Sequence, residues 1–204
     1  MNDLSDKDLI RVRRRFLDII KSFYIENPDA ERMSRWRGFF AALIKERVNP
    51  IMDTAVKELD RLLTDIKLDG IQDEYYELFT NPFGEHLAKT TLSYYVDGHE
   101  FGQTLVHFRS FLREADLVKK DNIDESEDSV VFMLDVLATL IDEEKDDPDN
   151  ARTRQTELLS EYLDPLTVHF SQAMKRNEKA RFYEACTKFL AGYIDLEKGL
   201  IAPL

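Results

Sequence analysis

SVVFMLDVLATLI, residues 129–141, carries a single charge, Asp135, among apolar residues, small residues and Thr139. Periodicity alone does not separate a buried strand from a buried helix in such a run. Thirteen residues is long for a strand, however, and leucine, methionine and alanine favour a helix. A helix that is apolar on all sides must be buried on all sides. The sequence therefore predicts the central helix of an all-α bundle, too short to span a bilayer.

The residues around this helix are strongly acidic. Residues 121–149 contain twelve acidic side chains and one basic one, Lys145, so that their net charge of −11 accounts for nearly all of the chain's −12. Ionised carboxylates are not buried without partners. We expect both acidic flanks to be solvated loops at the ends of the central helix. A purely solubilising role for them is an equal alternative.

The composition limits the classes of partner and compartment. A net charge of −12 argues against nucleic acid or an anionic membrane and favours a basic partner. One cysteine, Cys186, excludes an internal disulfide, which fits the reducing cytosol. Acidic residues stand near the N-terminus where a signal peptide carries positive charge, and no apolar run resembles a spanning helix. We expect a cytoplasmic protein that is not stably inserted in a membrane.

Apolar stripes at helical spacing run along most of the chain and predict about nine helices in one domain, residues 1–204. Asn49-Pro50 is a good N-cap and first-turn pair for a helix. Asp69-Gly70 is expected to end that same helix. Gly98 is expected at positive φ. Pro165 should kink or split its helix. Residues 146–150, DDPDN, are predicted as a linker and a possible hinge for a domain-swapped dimer.

Side chains with chemical potential are few. No glycine-rich phosphate loop is present, and the four histidines lack metal-site spacing, so we expect no catalytic residue, metal or cofactor. Cys186 lies on an apolar stripe and is interpreted as a core residue rather than a nucleophile. Asp135 is expected to form a buried pair with an arginine or tyrosine, with a functional acid as the alternative. The arginines at 11, 13, 14 and 15 are interpreted as a solvated face that pairs with the acidic loops, although they look like a nucleic-acid patch in isolation.

The segment directly before the apolar run, residues 125–129, reads Glu-Ser-Glu-Asp-Ser. It resembles the acidic hinge motif, roughly Glu-Pro-x-Asp-His, that precedes a central apolar helix in the TorD/DmsD/NarJ family of redox-enzyme maturation chaperones. Tyr-Glu-Leu-Phe at 76–79 stands where the family has a Tyr-x-x-Leu-Phe stretch, and the Asn-Pro-Phe at 81–83 and the aromatic segment at 94–98 follow in the family order. The similarity covers about residues 70–197. Ser126 and Ser129 stand where the family has its hinge proline and histidine.

The resemblance implies a task and a site. Such chaperones bind the N-terminal leader, often a twin-arginine signal, of a molybdenum-containing oxidoreductase until its cofactor is inserted. An acidic rim beside an apolar groove would suit a leader with a basic head and an apolar body. The predicted peptide-binding residues are Glu125, Glu127, Asp128, Tyr94, Tyr95 and Asp97, and Ser126 or Asp128 is expected to cap the central helix. A helical adaptor or a nucleotide-binding protein unrelated to redox enzymes is the alternative.

Overall fold

The structure of the protein is a computed structural model that describes residues 6–120 and 123–202, and the regular structure of those residues is helical. The helices are α1 (Asp6–Tyr24), α2 (Ala30–Leu43), α3 (Pro50–Asp65), α4 (Leu68–Tyr75), α5 (Leu92–Asp97), α6 (Gln103–Glu114), α7 (Val130–Glu143), α8 (Pro148–Glu157), α9 (Asp164–Arg176) and α10 (Phe182–Ile201). A π-helical turn, Tyr76–Thr80, continues α4, and a second, Leu158–Leu163, joins α8 to α9. The described residues thus form nine continuous helical stretches and no strand, which confirms the predicted all-α class.

The chain divides into two compact units. The first unit takes the described residues within 1–21, 90–166 and 198–204, and the second unit takes residues 22–89 and 167–197. Helices α1, α9 and α10 contribute residues to both units. The predicted single domain and the hinge at 146–150, which lies within the first unit, stay predictions.

Helix α7 supplies much of the core of the first unit. Ten of its fourteen residues are buried, as the apolar run predicted. Asp135 and Thr139 are exposed, however, so burial on all sides is a wrong prediction. Asp135 forms an ion pair with Lys21 while its side chain is 49% exposed, and the expected buried pair with an arginine or tyrosine is therefore also wrong. One stripe of α7 therefore reaches the surface.

The arginines of α1 meet the acidic end of α7, as predicted. Arg14 lies 2.9 Å from Asp142. Arg13 pairs with Glu144 and also donates to the side-chain oxygen of Gln155. The solvated position expected of this face is wrong for Arg13, because the side chains of Arg13 and Glu144 are only 3% and 8% exposed. Periodicity placed Arg13 off the apolar stripe but could not show that its partners cover it.

The second unit has an aromatic core. Phe23 packs against Trp36, Phe40 and Phe182, with ring centroids 5.1 to 6.2 Å apart. The indole N–H of Trp36 donates to the hydroxyl of Ser22 at 2.8 Å, which satisfies the one polar group of that side chain. Cys186 is fully buried, and burial raises the pKa of its thiol well above the ordinary value, which agrees with a core residue rather than a nucleophile.

Three local predictions about helix ends and turns have clear outcomes. Asn49 caps α3, since its side chain accepts from the N–H of Met52 at 2.8 Å, and Gly98 has φ of 79°. Asp69-Gly70 does not end α3. That helix ends at Asp65 and the dipeptide lies inside α4, because Ile66 already takes an extended conformation.

The acidic linker and the proline break also differ in form from the prediction. Asp147 caps α8 through the N–H of Asn150, so Pro148 to Asn150 form a first helical turn rather than a linker. Proline at the first turn loses no intrahelical bond. The predicted split at Pro165 is wrong, because α8 continues through the π-helical turn Leu158–Leu163 into α9, and the predicted kink stays a prediction. Such a turn shifts the hydrogen-bond spacing where a proline lacks its N–H and crowds the preceding turn.

Candidate functional site

The hinge segment, residues 124–129, is fixed at its end by Asp128. This residue is fully buried, and its carboxylate accepts from the N–H of Ser93 at 2.7 Å and from the hydroxyl of Ser126 at 2.6 Å. Its backbone carbonyl accepts from the N–H of Leu92 at 3.0 Å. Leu92 and Ser93 begin α5, so Asp128 satisfies N–H groups that a helix start leaves without an intrahelical partner. The exposed rim position expected of Asp128 is therefore wrong.

The residue that follows Asp128 starts the central helix. The hydroxyl of Ser129 accepts from the N–H of Phe132 at 3.2 Å and caps α7, so the cap is neither Ser126 nor Asp128. Thr91 and Ser129 form an isolated antiparallel bridge, in which the N–H of Val130 donates to the carbonyl of Thr90 at 2.9 Å. The starts of α5 and α7 are thereby joined side by side through backbone and side-chain bonds.

Glu127 is engaged by a cation of its own chain. Arg109 of α6 donates two hydrogen bonds to it, from Nε and Nη2, each 2.9 Å long. Burial by itself would raise the pKa of Glu127, but these bonds and the charge of Arg109 bring that pKa below its ordinary value. A planar fork on a carboxylate is the geometry that an arginine of a partner would also use.

The exposed carboxylates of the hinge segment are Asp124 and Glu125. Glu125 also receives, on its backbone carbonyl, a hydrogen bond from the ammonium group of Lys119. Its side chain stays on the surface. Of the three hinge carboxylates predicted from the sequence, only Glu125 is exposed, since Asp128 is buried and Glu127 is bound by Arg109. The neighbouring Asp124 is exposed as well.

The tyrosines of α5 lie beside this segment, since Ser93 precedes them directly. Tyr94 is 38% exposed, and its ring meets that of Tyr95 edge to face at 5.5 Å. Burial, and then the neighbouring Tyr94, raise the pKa of Tyr95 above its ordinary value. Tyr94 therefore offers an aromatic surface, whereas Tyr95 is half-buried.

Asp97 has a structural position. Its carboxylate accepts from the N–H of Thr104 at 2.9 Å and from the Thr104 hydroxyl at 3.0 Å, which holds the start of α6. A Cβ at Gly102 would lie 2.2 Å from this carboxylate, so a glycine is needed there for the approach. This cap could not be predicted from the sequence, because seven residues separate the two partners.

Two cavities lie next to the hinge segment, and residues 117–119 line both of them. One, of about 340 Å³, runs along α7, and the other, of about 510 Å³, runs along α6. Their shared wall is Leu112, Leu117, Val118 and Lys119. We call the two together the α6–α7 groove. The family resemblance implied an apolar groove, but of the predicted peptide-binding residues only Glu127 lines these two cavities. The wall residues could not be predicted, because their pattern is that of an ordinary helix end and loop.

The part of the chain that the structure describes holds no cluster of metal ligands. No group of three or more histidine, cysteine, aspartate or glutamate side chains there could hold a metal ion. Within the same residues, no helix is both long and apolar enough to cross a bilayer.

Comparison with known proteins gives the family. The sequence profile of the family described as nitrate reductase delta subunit matches residues 46–176, more than half of the chain. The chain belongs to this family. Membership in the nitrate reductase delta subunit family, which is the family of NarJ- and TorD-type chaperones, confirms the resemblance seen in the sequence. No curated protein matches the chain.

A solved structure agrees with the fold of this family member. The chain is similar to the crystal structure of a candidate redox enzyme maturation protein from Archaeoglobus fulgidus, with a TM-score of 0.54 and 14% identity. The match covers 90% of this chain and 93% of the other. Through its family, the protein is one of the redox-enzyme maturation chaperones. The solved structure agrees with this in fold.

Proposed function

We propose that the protein is a cytoplasmic chaperone that binds the N-terminal leader of a molybdenum-containing oxidoreductase subunit, of the twin-arginine type, and assists cofactor insertion and assembly before export. Its partner is the precursor of the catalytic subunit. The protein acts as a monomer or a domain-swapped dimer, and it binds neither nucleic acid nor a cofactor of its own. Membership in a family of maturation chaperones is the support for this role.

The location of the leader-binding site is supported by one observation: the exposed hinge carboxylates lie beside the α6–α7 groove. Asp124 and Glu125 are exposed, and Ile123 and Glu127 on either side of them line the groove. A leader with a basic head and an apolar body finds a complement to each part here. Surface ion pairs contribute little, so burial of the apolar body would supply most of the affinity.

This role requires binding and release rather than a catalytic step. We propose that the protein is not an enzyme, since its family consists of chaperones. A buried Asp128 whose carboxylate accepts from a backbone N–H and a serine hydroxyl fits a structural residue better than a catalytic acid. Hydrolysis of a nucleotide that copurifies with the protein and is lost with Asp128→Ala would contradict this.

The direct test of function is recovery of the client. A tagged copy expressed in the native host should retain the precursor of a molybdenum enzyme subunit, identified by mass spectrometry and absent from a tag-only control. Truncation of the precursor's leader should abolish the retention. Recovery of proteins with no redox enzyme subunit among them would overturn the proposal.

The test of the site is calorimetric titration of the recovered leader into a hinge variant. Asp124→Asn with Glu125→Gln removes two surface charges and should weaken binding by about 1–3 kcal/mol, at two pairs of intermediate strength. The matched control is Asp146→Asn with Glu178→Gln, which removes one exposed aspartate and one exposed glutamate elsewhere. Equal affinities for the two variants would show that the hinge only solubilises the protein.

A further inference from the structure

The α6–α7 groove is cationic although the protein is acidic. Five basic side chains and two acidic ones line it, which leaves a surplus of three positive charges; the basic ones are Arg14, Arg109, Arg113, Lys119 and Lys120. The chain as a whole carries −12. A concave apolar surface concentrates the field of the charges around it. The groove therefore has a local charge opposite to that of the protein.

The apolar part of the groove comes from two elements. Along α7, Phe132, Asp135, Val136 and Thr139 share one face at helical spacing and line one cavity. In the chain that follows α6, Val118 is 89% exposed. It is preceded by Leu117 and followed by Lys119 and Lys120. An apolar side chain this exposed, in the shared wall of both cavities, has most of its surface available to a partner.

The contacts of the cations show which of them can meet a partner. Arg109 holds Glu127 and Arg14 holds Asp142, so the charge of each is met by a carboxylate. Lys119 donates to the carbonyl of Glu125, and Arg113 donates to the hydroxyl of Ser110, both of which are neutral acceptors. Lys119 and Lys120 directly follow the exposed Val118 in the chain, and all three line the groove, so apolar and cationic side chains are neighbours there.

We propose that the α6–α7 groove binds an amphipathic helical segment of the client that carries carboxylates beside its apolar face. The identity of the occupant as a client segment rests on the proposed function. A basic head would be repelled from the groove and lies instead over Asp124 and Glu125. The anionic hinge segment and the cationic groove thus bind different parts of the client. Specificity follows from the order of the basic head and the acidic amphipathic segment in the client.

The probes are three synthetic peptides of about 18 residues, long enough to form a helix on binding. All three have leucines at i, i+3, i+4 and i+7, and they differ in having glutamate, glutamine or lysine at the flanking positions. The glutamate peptide should bind most tightly and the lysine peptide least, by roughly three- to tenfold between the extremes, for two surface pairs formed or repelled. Added salt should reduce this spread.

Charge reversal then locates the site. Lys119→Glu with Lys120→Glu should invert the order of the three peptides, and Lys119→Gln with Lys120→Gln, a milder change, should abolish the preference. The matched control, Lys45→Glu with Lys179→Glu, makes the same change of net charge at exposed lysines elsewhere and should keep the wild-type order. Val118→Ser should weaken all three peptides alike, since it removes apolar surface that each would cover.

The outcomes separate this inference from the proposed function. A wild-type preference for the lysine peptide, or an equal effect of the groove and control variants, overturns the inference even if the client leader still binds. Sedimentation showing that the wild type self-associates and the Lys119→Glu, Lys120→Glu variant does not would assign the groove to a second copy and likewise overturn it. Preference for the glutamate peptide with no redox enzyme recovered from the host would overturn the proposed function alone.

Discussion

The carboxylate of Asp128 accepts a hydrogen bond of 2.7 Å from the backbone N–H of Ser93, 35 residues earlier in the chain. The residue that the family resemblance marked as a kept hinge carboxylate thus caps one helix, α5, one residue before the cap of another, α7. The hinge segment is anchored at this end, and its exposed carboxylates at 124 and 125 extend from a fixed point. Asp128 acts on binding through the position of its neighbours.

Replacing Asp128 should therefore lower stability before it affects binding. Asp128→Ala leaves the buried N–H of Ser93 without its acceptor, which costs about 1–3 kcal/mol. Urea unfolding followed by circular dichroism measures the loss. Asp124→Ala, an exposed aspartate in the same segment, is the control and should stay within about 0.5 kcal/mol of wild type. Equal stability of the two variants would show that the cap does not hold the segment.

The buried pair of Arg13 and Glu144 gives a second prediction. Arg13→Met removes the cation and leaves Glu144 buried without it, which costs about 3–5 kcal/mol. Arg15→Met, on the same helix but exposed, should change stability by no more than about 0.5 kcal/mol. The double variant Arg13→Met with Glu144→Leu should recover much of the loss, because no uncompensated charge remains.

Thermal and urea unfolding of these three variants and of the single variant Glu144→Leu measures the pattern. A double variant as unstable as the sum of its single changes would mean that the two side chains do not act as a pair. Arg152 also approaches Glu144, at 3.6 Å, from a more exposed position. We expect that longer contact to compensate Glu144 only in part.

The position of Glu74 in the second unit leads us to expect that the stability of the protein depends on pH. Its carboxylate accepts from the N–H groups of Arg181 and Tyr183, each at 2.8 Å, at the start of α10. Burial nevertheless raises the pKa of Glu74 above its ordinary 4.5, so the native state holds the proton more tightly than the unfolded chain. Its contribution to stability is full below the unfolded pKa and is lost as pH rises through the folded pKa.

Glu74→Gln cannot ionise and should escape this loss. The stability of the variant relative to wild type should therefore increase as pH rises from about 4 to about 7, in a window that starts near the unfolded pKa of a glutamate. The measurement is urea unfolding of both proteins across that range. The hypothesis is wrong if the difference stays constant or falls with pH.

Two glycines of the second unit should respond to alanine in opposite directions. At Gly192 of α10 a Cβ would lie 2.8 Å from the backbone nitrogen of Met52, so Gly192→Ala overpacks the contact and should destabilise by about 1–3 kcal/mol. At Gly38 of α2 nothing lies within 4 Å, and alanine should stabilise that helix by about 0.5–1 kcal/mol. Melting temperatures that move in the same direction would contradict the close approach of α10 to α3.

Local sequence patterns predicted the fold well and the site poorly, for a physical reason. Apolar periodicity and caps made by adjacent residues, such as Asn49 with Met52, depend on neighbours in sequence and were predictable. Asp128 is buried by α5 and Arg13 by Glu144 and Gln155, partners that lie 35 to 142 residues away. Burial of a charged side chain is decided by such distant contacts, which a single sequence does not display.

The opposite error occurred at Asp135. An apolar helix was expected to bury its one charge, yet Asp135 stands on the stripe that lines the groove. The charge was in fact a local sign of the exposed face, together with Thr139 one turn later. The cationic character of the groove had no such sign, because its five basic residues are spread over α1, α6 and the chain that follows α6.

The pairing of Arg109 with Glu127 leads to the last prediction, which tests the predicted binding role of Glu127. Both oxygens of Glu127 are taken by the guanidinium of Arg109, so an arginine of a leader must displace it. Arg109→Gln removes this competitor. A basic leader should then bind more tightly, by about two- to fivefold for one surface-type pair gained. Glu127→Gln should weaken binding of the same leader, since the carboxylate at position 127 is then lost.

Arg113→Gln is the matched control, because it removes the same charge one turn further along α6 without touching Glu127. It should leave leader affinity near the wild-type value at moderate salt, where long-range attraction is screened. Titration of one leader into the three variants and wild type decides the matter. If Arg109→Gln and Arg113→Gln raise the affinity equally, the effect is one of net charge, and Glu127 does not contact the leader.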